Sequence, residues 1–459
     1  MLNKIVIKNF KCFDRNTPQI KLKNFNVICG PNSSGKSTIN QAILIHLQNN
    51  KFKKESFISN GKFVHFDEFA EIKNSATSSE KDIQIELIND ENKSCKMILS
   101  ADSDGKTIMC KELLSQFNLI EEENIFYISA SRIGPEDVYN KLTNNLIEQF
   151  GQNAIGFLAK YQNETINEKY AYVNSPTKDY KFIKEVNYWL QEIIGEQINV
   201  SELSRTDRST ATYSREVNSL EVRNKNTGSG LSYIITILVS VLSVSIKNLN
   251  EKPLFIIENP EIHLHPTAQI SLMKFLIHMS QFCQIIVETH SDYIIKKSLQ
   301  CSNGQVIKLN KDFKPIYYNK RSKYTLKTLS LGEIQWTAFD LPTIDFHINL
   351  FSYLQQKYEE FALNELDDKL RKTQSFKNKR SMIDTRCKRF LSNGKNSKNP
   401  ESIFETLPVY LRNVIDHPVR RKGGNEPPRK KYRETEETFN NALKTSIEFM
   451  IEVIKENNW

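Results

Sequence analysis

Gly30-Pro31-Asn32-Ser33-Ser34-Gly35-Lys36-Ser37-Thr38 is the stretch on which the reading of this 459-residue chain turns. It fits G-x-x-x-x-G-K-[ST], stands directly after an apolar run at residues 25–29 and leads into a helical pattern at residues 38–47. A strand, a glycine-containing loop and a helix in that order form a phosphate cradle. Gly30 and Gly35 let the backbone curl so that N–H groups along Asn32, Ser33, Ser34 and Thr38 turn inward toward phosphate oxygens. Lys36 reaches the β and γ phosphates, Ser37 offers a hydroxyl to Mg2+, and the helix adds the positive end of its dipole. ATP and Mg2+ are the expected ligands.

Working outward, two more short apolar runs, residues 254–257 and 285–287, are each followed at once by polar, loop-forming residues. Three such buried strands are the pattern of an α/β sheet with its site at the strand ends. The second run ends in Glu258-Asn259-Pro260-Glu261, which puts carboxylates where a magnesium ion and an attacking water would lie. Glu258 is the expected metal ligand. The third run ends in Glu288-Thr289-His290-Ser291-Asp292. A histidine at such a strand tip can hold a water or sense a phosphate, so Glu261 and His290 are the candidates for catalysis. His263 and His265 have no further His or Cys cluster nearby and do not make a zinc site.

A chain of this length calls for two or three domains. Its 39% hydrophobic and 25% charged content suits a globular protein with a sizeable core. The seven cysteines are scattered, odd in number and form no C-x-x-C pair, which argues against a disulfide framework and points to a reducing, cytoplasmic setting. The first thirteen residues alternate like a strand and lack the apolar core of a signal peptide, and no stretch of eighteen apolar residues occurs, so neither secretion nor a membrane span is expected. The net charge is +9, and residues 351–459 hold 22 Lys and Arg against 16 Asp and Glu. A basic tail of this kind can attract phosphate backbones.

Residues 61–109 alternate in the manner of an antiparallel β layer, notably at 82–87 and 95–99. Residues 135–217 carry helix-compatible periodicity, for example at 144–149 and 182–194, and read as a helical insertion. No heptad run long enough for a coiled coil separates the motifs. Segments 305–309, 315–318 and 326–331 read as strands or strand ends. Helical patterns then take over, broken by basic, loop-like stretches at 369–398 and 418–433. The expected fold is α/β: a nucleotide-binding head over residues 1–340 with an antiparallel β layer and an inserted helical subdomain, then an all-α, basic C-terminal domain over 341–459.

Taken together, Ile7-Lys8-Asn9-Phe10-Lys11-Cys12-Phe13, the phosphate loop, the glycine turn at residues 226–232, Ile256 to Pro266 and the Val287 to Ile294 segment resemble the compact ABC-type ATPases related to RecF, SMC and OLD-like proteins. The resemblance covers about two-thirds of the chain. It implies that two heads pair head to tail and that each ATP lies between the phosphate loop of one and the signature turn of the other. Ser229 and Gly230 would then touch the partner's γ-phosphate. The second motif departs from the family's commonest pattern, which has Asp-Glu where this chain has Glu258-Asn259. Asn259 cannot accept a proton. Hydrolysis is therefore expected to be slow or absent, with Glu261 or His290 standing in.

In the tail, Arg412 and His417 match the R-x4-H spacing of HEPN-like ribonucleases, in which histidine moves protons and arginine stabilises charge on the phosphate. Residues 344–356 look like another helix of such a domain. Compact ATPases of this kind resemble subunits of bacterial anti-phage systems, among them Septu-type ATPases that act with an HNH nuclease. Neither an HNH cluster nor a Toprim acidic series is recognisable here. The leading expectation is an ATP-binding subunit that forms a homodimer or higher oligomer and regulates a separate HNH-type nuclease acting on tRNA or DNA. The alternatives are a self-contained ribonuclease built on Arg412 and His417, and a RecF-like DNA-repair ATPase.

Overall fold

The structure is a computed structural model. It describes residues 1–49, 57–77, 82–117, 120–132, 134, 136, 139–140, 151, 153–172, 180–202, 208–214, 222–223, 228–246, 251–319, 329–389, 401–416 and 436–459. The chain divides into two compact units, Met1–Ser322 and Lys323–Trp459.

The first unit is organised by two sheets. Strands β1 (Leu2–Lys8), β2 (Ile20–Lys21), β4 (Ile83–Asn89), β5 (Ser94–Ala101) and β6 (Ile108–Ser115) form an antiparallel sheet in the order β2-β1-β4-β5-β6. Alternation of buried and half-buried residues along β4, and along β5 as far as Leu99, gives this sheet one apolar face. The second sheet has the order β15-β14-β3-β13-β12-β7, from β3 (Phe25–Cys29), β7 (Ile125–Ile128), β12 (Leu254–Glu258), β13 (Gln284–Glu288), β14 (Gly304–Leu309) and β15 (Pro315–Tyr318). All its pairings are parallel except that of the edge strand β15. The three motif-bearing strands read from the sequence thus lie side by side in its middle, and every residue of β3 and β13 is buried. Continuous Ile and Val runs suit strands covered on both faces.

Helix α1 (Lys36–Gln48) packs on β1 and β4 and is buried almost all round through Ile39, Ala42, Ile43, Leu44, Ile45 and Leu47. Each such side chain withdrawn from water contributes roughly 1.5–3 kcal/mol, so the helix that follows the phosphate loop is anchored by its own core. Helix α2 (Phe69–Ile72) is a single turn. Buried amides join the two sheets. Gln284 accepts from the Leu2 N–H and donates to the Leu2 and Lys23 carbonyls, and Gln305 donates to the Lys21 carbonyl of β2 as well as to Asn26.

The insertion contains helices α3 (Ala154–Tyr161) and α4 (Phe182–Ile194). In α4, Phe182, Val186, Trp189, Leu190 and Ile193 recur at helical spacing on the buried side, and Gly195 ends the helix in a left-handed conformation. The insertion is nevertheless not helical alone. Strands β8 (Tyr139–Asn140), β9 (Gln197–Glu202), β10 (Arg208–Ser214) and β11 (Val222–Arg223) make a small antiparallel sheet, with Ile198, Ala211 and Tyr213 buried. The helix expected at 144–149 lies outside the described residues. Helices α5 (Ser229–Leu242), α6 (Pro266–Met279) and α7 (Asp292–Leu299) complete the unit.

The second unit contains α8 (Leu331–Phe339), α9 (Ile344–Tyr358), α10 (Leu363–Lys372), α11 (Gln374–Ile383), α12 (Leu407–Asp416) and α13 (Glu436–Glu456) around a core that includes Phe346, Leu350, Leu370, Tyr410, Ile447 and Met450. Three expectations are corrected here. The unit is not all-α, because β16 (Asp384–Arg389) and β17 (Glu401–Thr406) form an antiparallel pair. The basic stretch from 369 is not a loop as far as Arg389. It closes α10, makes α11 and enters β16, since Leu366, Leu370, Phe376 and Ile383 supply buried anchors while Lys and Arg occupy the outer faces. Of the strand end expected at 326–331, residues 326–328 lie outside the described residues and Leu331 opens α8 instead, with Ser330 capping the Glu333 N–H. Residues 390–398 and 418–433 lie outside the described residues. Among the described residues no helix is long and apolar enough to cross a membrane.

Candidate nucleotide site

The phosphate loop leaves β3 at Gly30, where a side chain would collide with the Leu309 carbonyl at 2.3 Å, and enters α1 through Gly35 at φ 93°. Ser33 also has a positive φ, 61°. These turns coil the loop around the start of α1, where the first N–H groups of a helix have no intrahelical partner. Lys36 is only 5% exposed, and its ammonium donates to the Gly30 and Pro31 carbonyls at 3.1 and 2.9 Å. Burial pulls its pKa below the usual lysine value, with the Glu288 carboxylate opposing the shift. The Ser34 hydroxyl is buried without a partner. Thr38 sits 3.7 Å from the Cys12 thiol. Cys12, next to the loop at Thr38, also lines a cleft of about 570 Å³ with Lys11, Asp14, Lys73, Asn74 and Phe313.

Parallel register sets Glu258 of β12 directly beside Glu288 of β13. Glu258 accepts the Ala130 N–H at 3.4 Å and lies within hydrogen-bonding reach of the Tyr127 hydroxyl, whose pKa is driven up by burial and by this carboxylate. Glu288, 5% exposed, accepts the Ser37 hydroxyl and the Asn40 amide, each at 2.8 Å. Burial pushes its pKa up to about 7; the Ser37 hydrogen bond opposes this and the neighbouring Glu258 charge adds to it. Glu261 accepts the His290 N–H at 2.8 Å, keeps one buried oxygen without a partner, and has its pKa raised by burial. Packing on one side and the Lys36 charge hold the His290 imidazole below its usual pKa, so that it is neutral at pH 7. The turn between Glu258 and Glu261 passes through Asn259 at φ 44°, a left-handed conformation that Asn tolerates better than most residues. The Asn259 N–H donates to the Glu288 carbonyl.

Arg132 underpins this turn. Its guanidinium, 3% exposed, donates to the carbonyls of Ser129, Glu258 and Asn259 at 2.8–3.0 Å and lies over the Tyr233 ring. Burial lowers its pKa to about 10. Gly230, in the first turn of α5, packs where an added Cβ would stand 2.6 Å from the His263 carbonyl, so the glycine turn is pressed against the Glu258–His263 segment of its own chain. The Ser229 side chain lies outside the described residues.

The structure brings the loop residues, Ser37, Glu258, Glu261 and His290 to one end of the parallel sheet. Arg412 belongs to the second unit, half-buried on α12, and His417 lies outside the described residues. Glu288, Asn40 and Arg132 were not singled out from sequence. Glu288 ends its apolar strand as Glu258 does, and Asn40 follows Ser37 by three positions on one helix face, which are legible signals once the strands are known to be neighbours. Arg132 had none. Ser37 and Glu258 offer oxygen donors, which suit a hard divalent cation. Among the described residues no three His, Cys, Asp or Glu side chains gather closely enough to hold a metal by themselves. A cation here must share its coordination with phosphate oxygens and water, as magnesium does in nucleotide sites.

The family model described as "AAA domain, putative AbiEii toxin, Type IV TA system" matches residues 25–296, more than half of the chain. No curated protein matches the sequence. Among solved structures the chain is similar to the Smc head bound to the C-winged helix domain of ScpA, with 15% identity over 70% of this chain and 98% of that one and a TM-score of 0.40. It is similar to the SMC head domain from Thermotoga maritima, with 14% identity over 69% and 98% and a TM-score of 0.37. A third likeness, to the Smc head domain with an extended coiled coil bound to the C-terminal domain of ScpA derived from Pyrococcus furiosus, has 13% identity over 70% and 96% and a TM-score of 0.41. With its phosphate loop, paired strand-tip carboxylates and motif-bearing parallel strands inside the matched region, the chain belongs to this AAA ATPase family.

Proposed function

We propose that this chain is the ATP-binding regulatory subunit of an anti-phage defence complex, pairing with a second copy around ATP and controlling a separate nuclease through its helical tail, residues 341–459. The observation that supports the nucleotide part best is the joining of Ser37, Glu288 and Glu258 at the mouth of the phosphate loop. When bound, Mg-ATP supplies the γ-phosphate and the cation that spreads its charge. Lys36 gives up its loop carbonyls to meet the phosphates, and Ser37 and Glu258 offer oxygens to the metal. Asn259 has no basic oxygen with which to take a proton from water. Glu261, with a raised pKa and a buried oxygen lacking a partner, and the neutral His290 are left for that task. Turnover is accordingly slow, and ATP serves chiefly as a clamp between heads, with Ser229 and Gly230 facing the partner's γ-phosphate. The family description names a toxin of a toxin–antitoxin system, in keeping with a role in cellular defence. A second reading, ribonuclease chemistry by Arg412 and His417, draws on the place of Arg412 near the end of helix α12.

Sedimentation with and without Mg-ATP tests the clamp, with Lys36→Ala as the control. An ATP-dependent dimer is expected, together with at least a hundredfold weaker nucleotide binding in the variant, about 3 kcal/mol for a buried charged donor. Turnover of many ATP molecules per second, or a Lys36→Ala protein that binds ATP normally, overturns the reading. Incubation with tRNA and plasmid DNA, beside an Arg412→Ala/His417→Ala variant, separates the nuclease assignments. Cleavage that disappears in the variant makes the chain its own effector; no cleavage by either form leaves the cutting to a partner.

A further inference from the structure

We propose that Glu288 is a positioning residue for the magnesium site: it accepts the hydrogen bond of the Ser37 hydroxyl, so that the lone pairs of that oxygen are left for the cation, and Asn40 holds Glu288 in place. This rests on the nucleotide reading above and adds to it a residue that does not itself face the phosphates. The argument is geometric. A serine hydroxyl has one proton and two lone pairs and rotates freely unless the proton is committed. Here it is committed to Glu288 Oε1 at 2.8 Å, and Glu288 cannot drift because its other oxygen accepts the Asn40 amide at 2.8 Å. Ser37 and Asn40 lie three positions apart on α1, while Glu288 comes from β13, so the three groups tie helix to strand at the loop's mouth. Outer partners of this kind set the orientation and donor strength of metal ligands.

The arrangement also divides the work of the two neighbouring carboxylates. Glu258 is served by the Ala130 N–H and the Tyr127 hydroxyl and retains acceptor capacity for a cation. Glu288 spends both oxygens on protein donors. The remaining polar atom is informative: Asn40 Oδ1 is buried without a partner. If Glu288 is replaced by glutamine, the Asn40 amide can turn over so that Oδ1 accepts the new NH2 while glutamine Oε1 still accepts Ser37. Glutamine therefore preserves the positioning and removes the charge, whereas alanine removes both.

The test uses the full chain and a non-hydrolysable ATP analogue, titrated with Mn2+ by electron paramagnetic resonance and with Mg2+ by calorimetry. Glu288→Ala should weaken the cation's apparent affinity by about ten- to a hundredfold while nucleotide alone is still bound. Glu288→Gln should recover it to within about threefold, since the hydroxyl keeps its acceptor. Asn40→Ala, which frees only one carboxylate oxygen, should fall between, and Ser37→Ala combined with Glu288→Ala should be no worse than Ser37→Ala alone. Thermal melts of each variant show that it is folded, and Asn40→Ala serves if Glu288→Ala is not. Wild-type cation affinity in Glu288→Ala, or equal losses in Glu288→Ala and Glu288→Gln, overturns the positioning role. A wild-type chain that binds no nucleotide at all sinks the underlying site instead.

Discussion

The sheet-end cluster of the first unit and the helical second unit both bury charged side chains, yet they treat them differently. In the second unit Asp367 accepts the Thr406 N–H and hydroxyl and an Arg371 N–H, and Arg371 also reaches Asp384. At the surface, Glu456 caps α11 by accepting the N–H groups of Gln374 and Ser375. Those carboxylates are spent on holding β17, α10, α11 and α13 together. In the first unit two carboxylates stand side by side, Glu261 keeps an oxygen without a partner, and the pKa values of Glu261 and Glu288 are raised by burial. Carboxylates spent on tying elements together mark architecture, and neighbouring carboxylates buried at one sheet end with raised pKa values mark a place prepared for a ligand.

Acid should break the comparison most strongly, because each unit also buries one neutral histidine. His347 in the second unit, bonded to the Ser446 hydroxyl, has its pKa pushed down to about 3 by burial; His46 in the first, bonded to the Cys95 carbonyl, is pushed down to about 4. A lowered folded pKa means that the unfolded chain binds more protons below about 6.5. The stability from neutral burial is thus complete above pH 6.5 and lost as pH falls toward the folded values. The full loss is about 5 kcal/mol for His347 and about 3 kcal/mol for His46. Down to about pH 4 the two histidines withdraw stability equally; below it only His347 goes on doing so, and the second unit should therefore have lost more stability than the first by pH 3. Trp336 and Trp459 report on the second unit and Trp189 on the first, so fluorescence of a Trp189→Phe variant against wild type tells the two apart; His347→Asn should move the tail's transition to lower pH.

Asp367→Ala should cost the second unit about 4 kcal/mol, the range for removing one partner of a buried ionic network, and leave the first unit's nucleotide affinity unchanged. Chemical denaturation followed at both sets of tryptophans checks this, and a loss of nucleotide binding would show that the network serves more than architecture. The smallest effect is expected from Gly230→Ala. Forcing a Cβ against the His263 carbonyl should cost about 1–3 kcal/mol through local shifts, read as a lowered melting temperature of the first unit with the second unchanged.

Much of the site was legible because its elements are short, apolar and punctuated. The runs that became β3, β12 and β13 end in residues that can only be loop or site, and a glycine loop between strand and helix admits few readings. Adjacency was not legible. That Glu258 and Glu288 share a register is a property of parallel pairing between segments thirty residues apart, and without it Glu288 reads as one more polar residue before Thr289. Charge obscured the second unit in a different way. Lys and Arg fill the outer positions of α10 and α11, and a composition-led reading takes the segment for a loop, although the spacing of Leu366, Leu370 and Phe376 carries the buried face. The Asp384–Arg389 and Glu401–Thr406 strands offer almost no apolar alternation and find each other only through the tertiary fold.

Gln284 stands at the opposite end of β13 from Glu288, and its side chain grips the backbone of Leu2 and Lys23. A five-residue strand is about 17 Å long and stretches very little. Pinned at its base to the antiparallel sheet and at its tip to α1 through Asn40, β13 behaves as a strut, so a push on its tip is passed to both layers instead of being absorbed by sliding between them. Sliding would break three hydrogen bonds at once, two of them buried, and the Leu2 amide should therefore exchange its hydrogen only when the whole first unit opens.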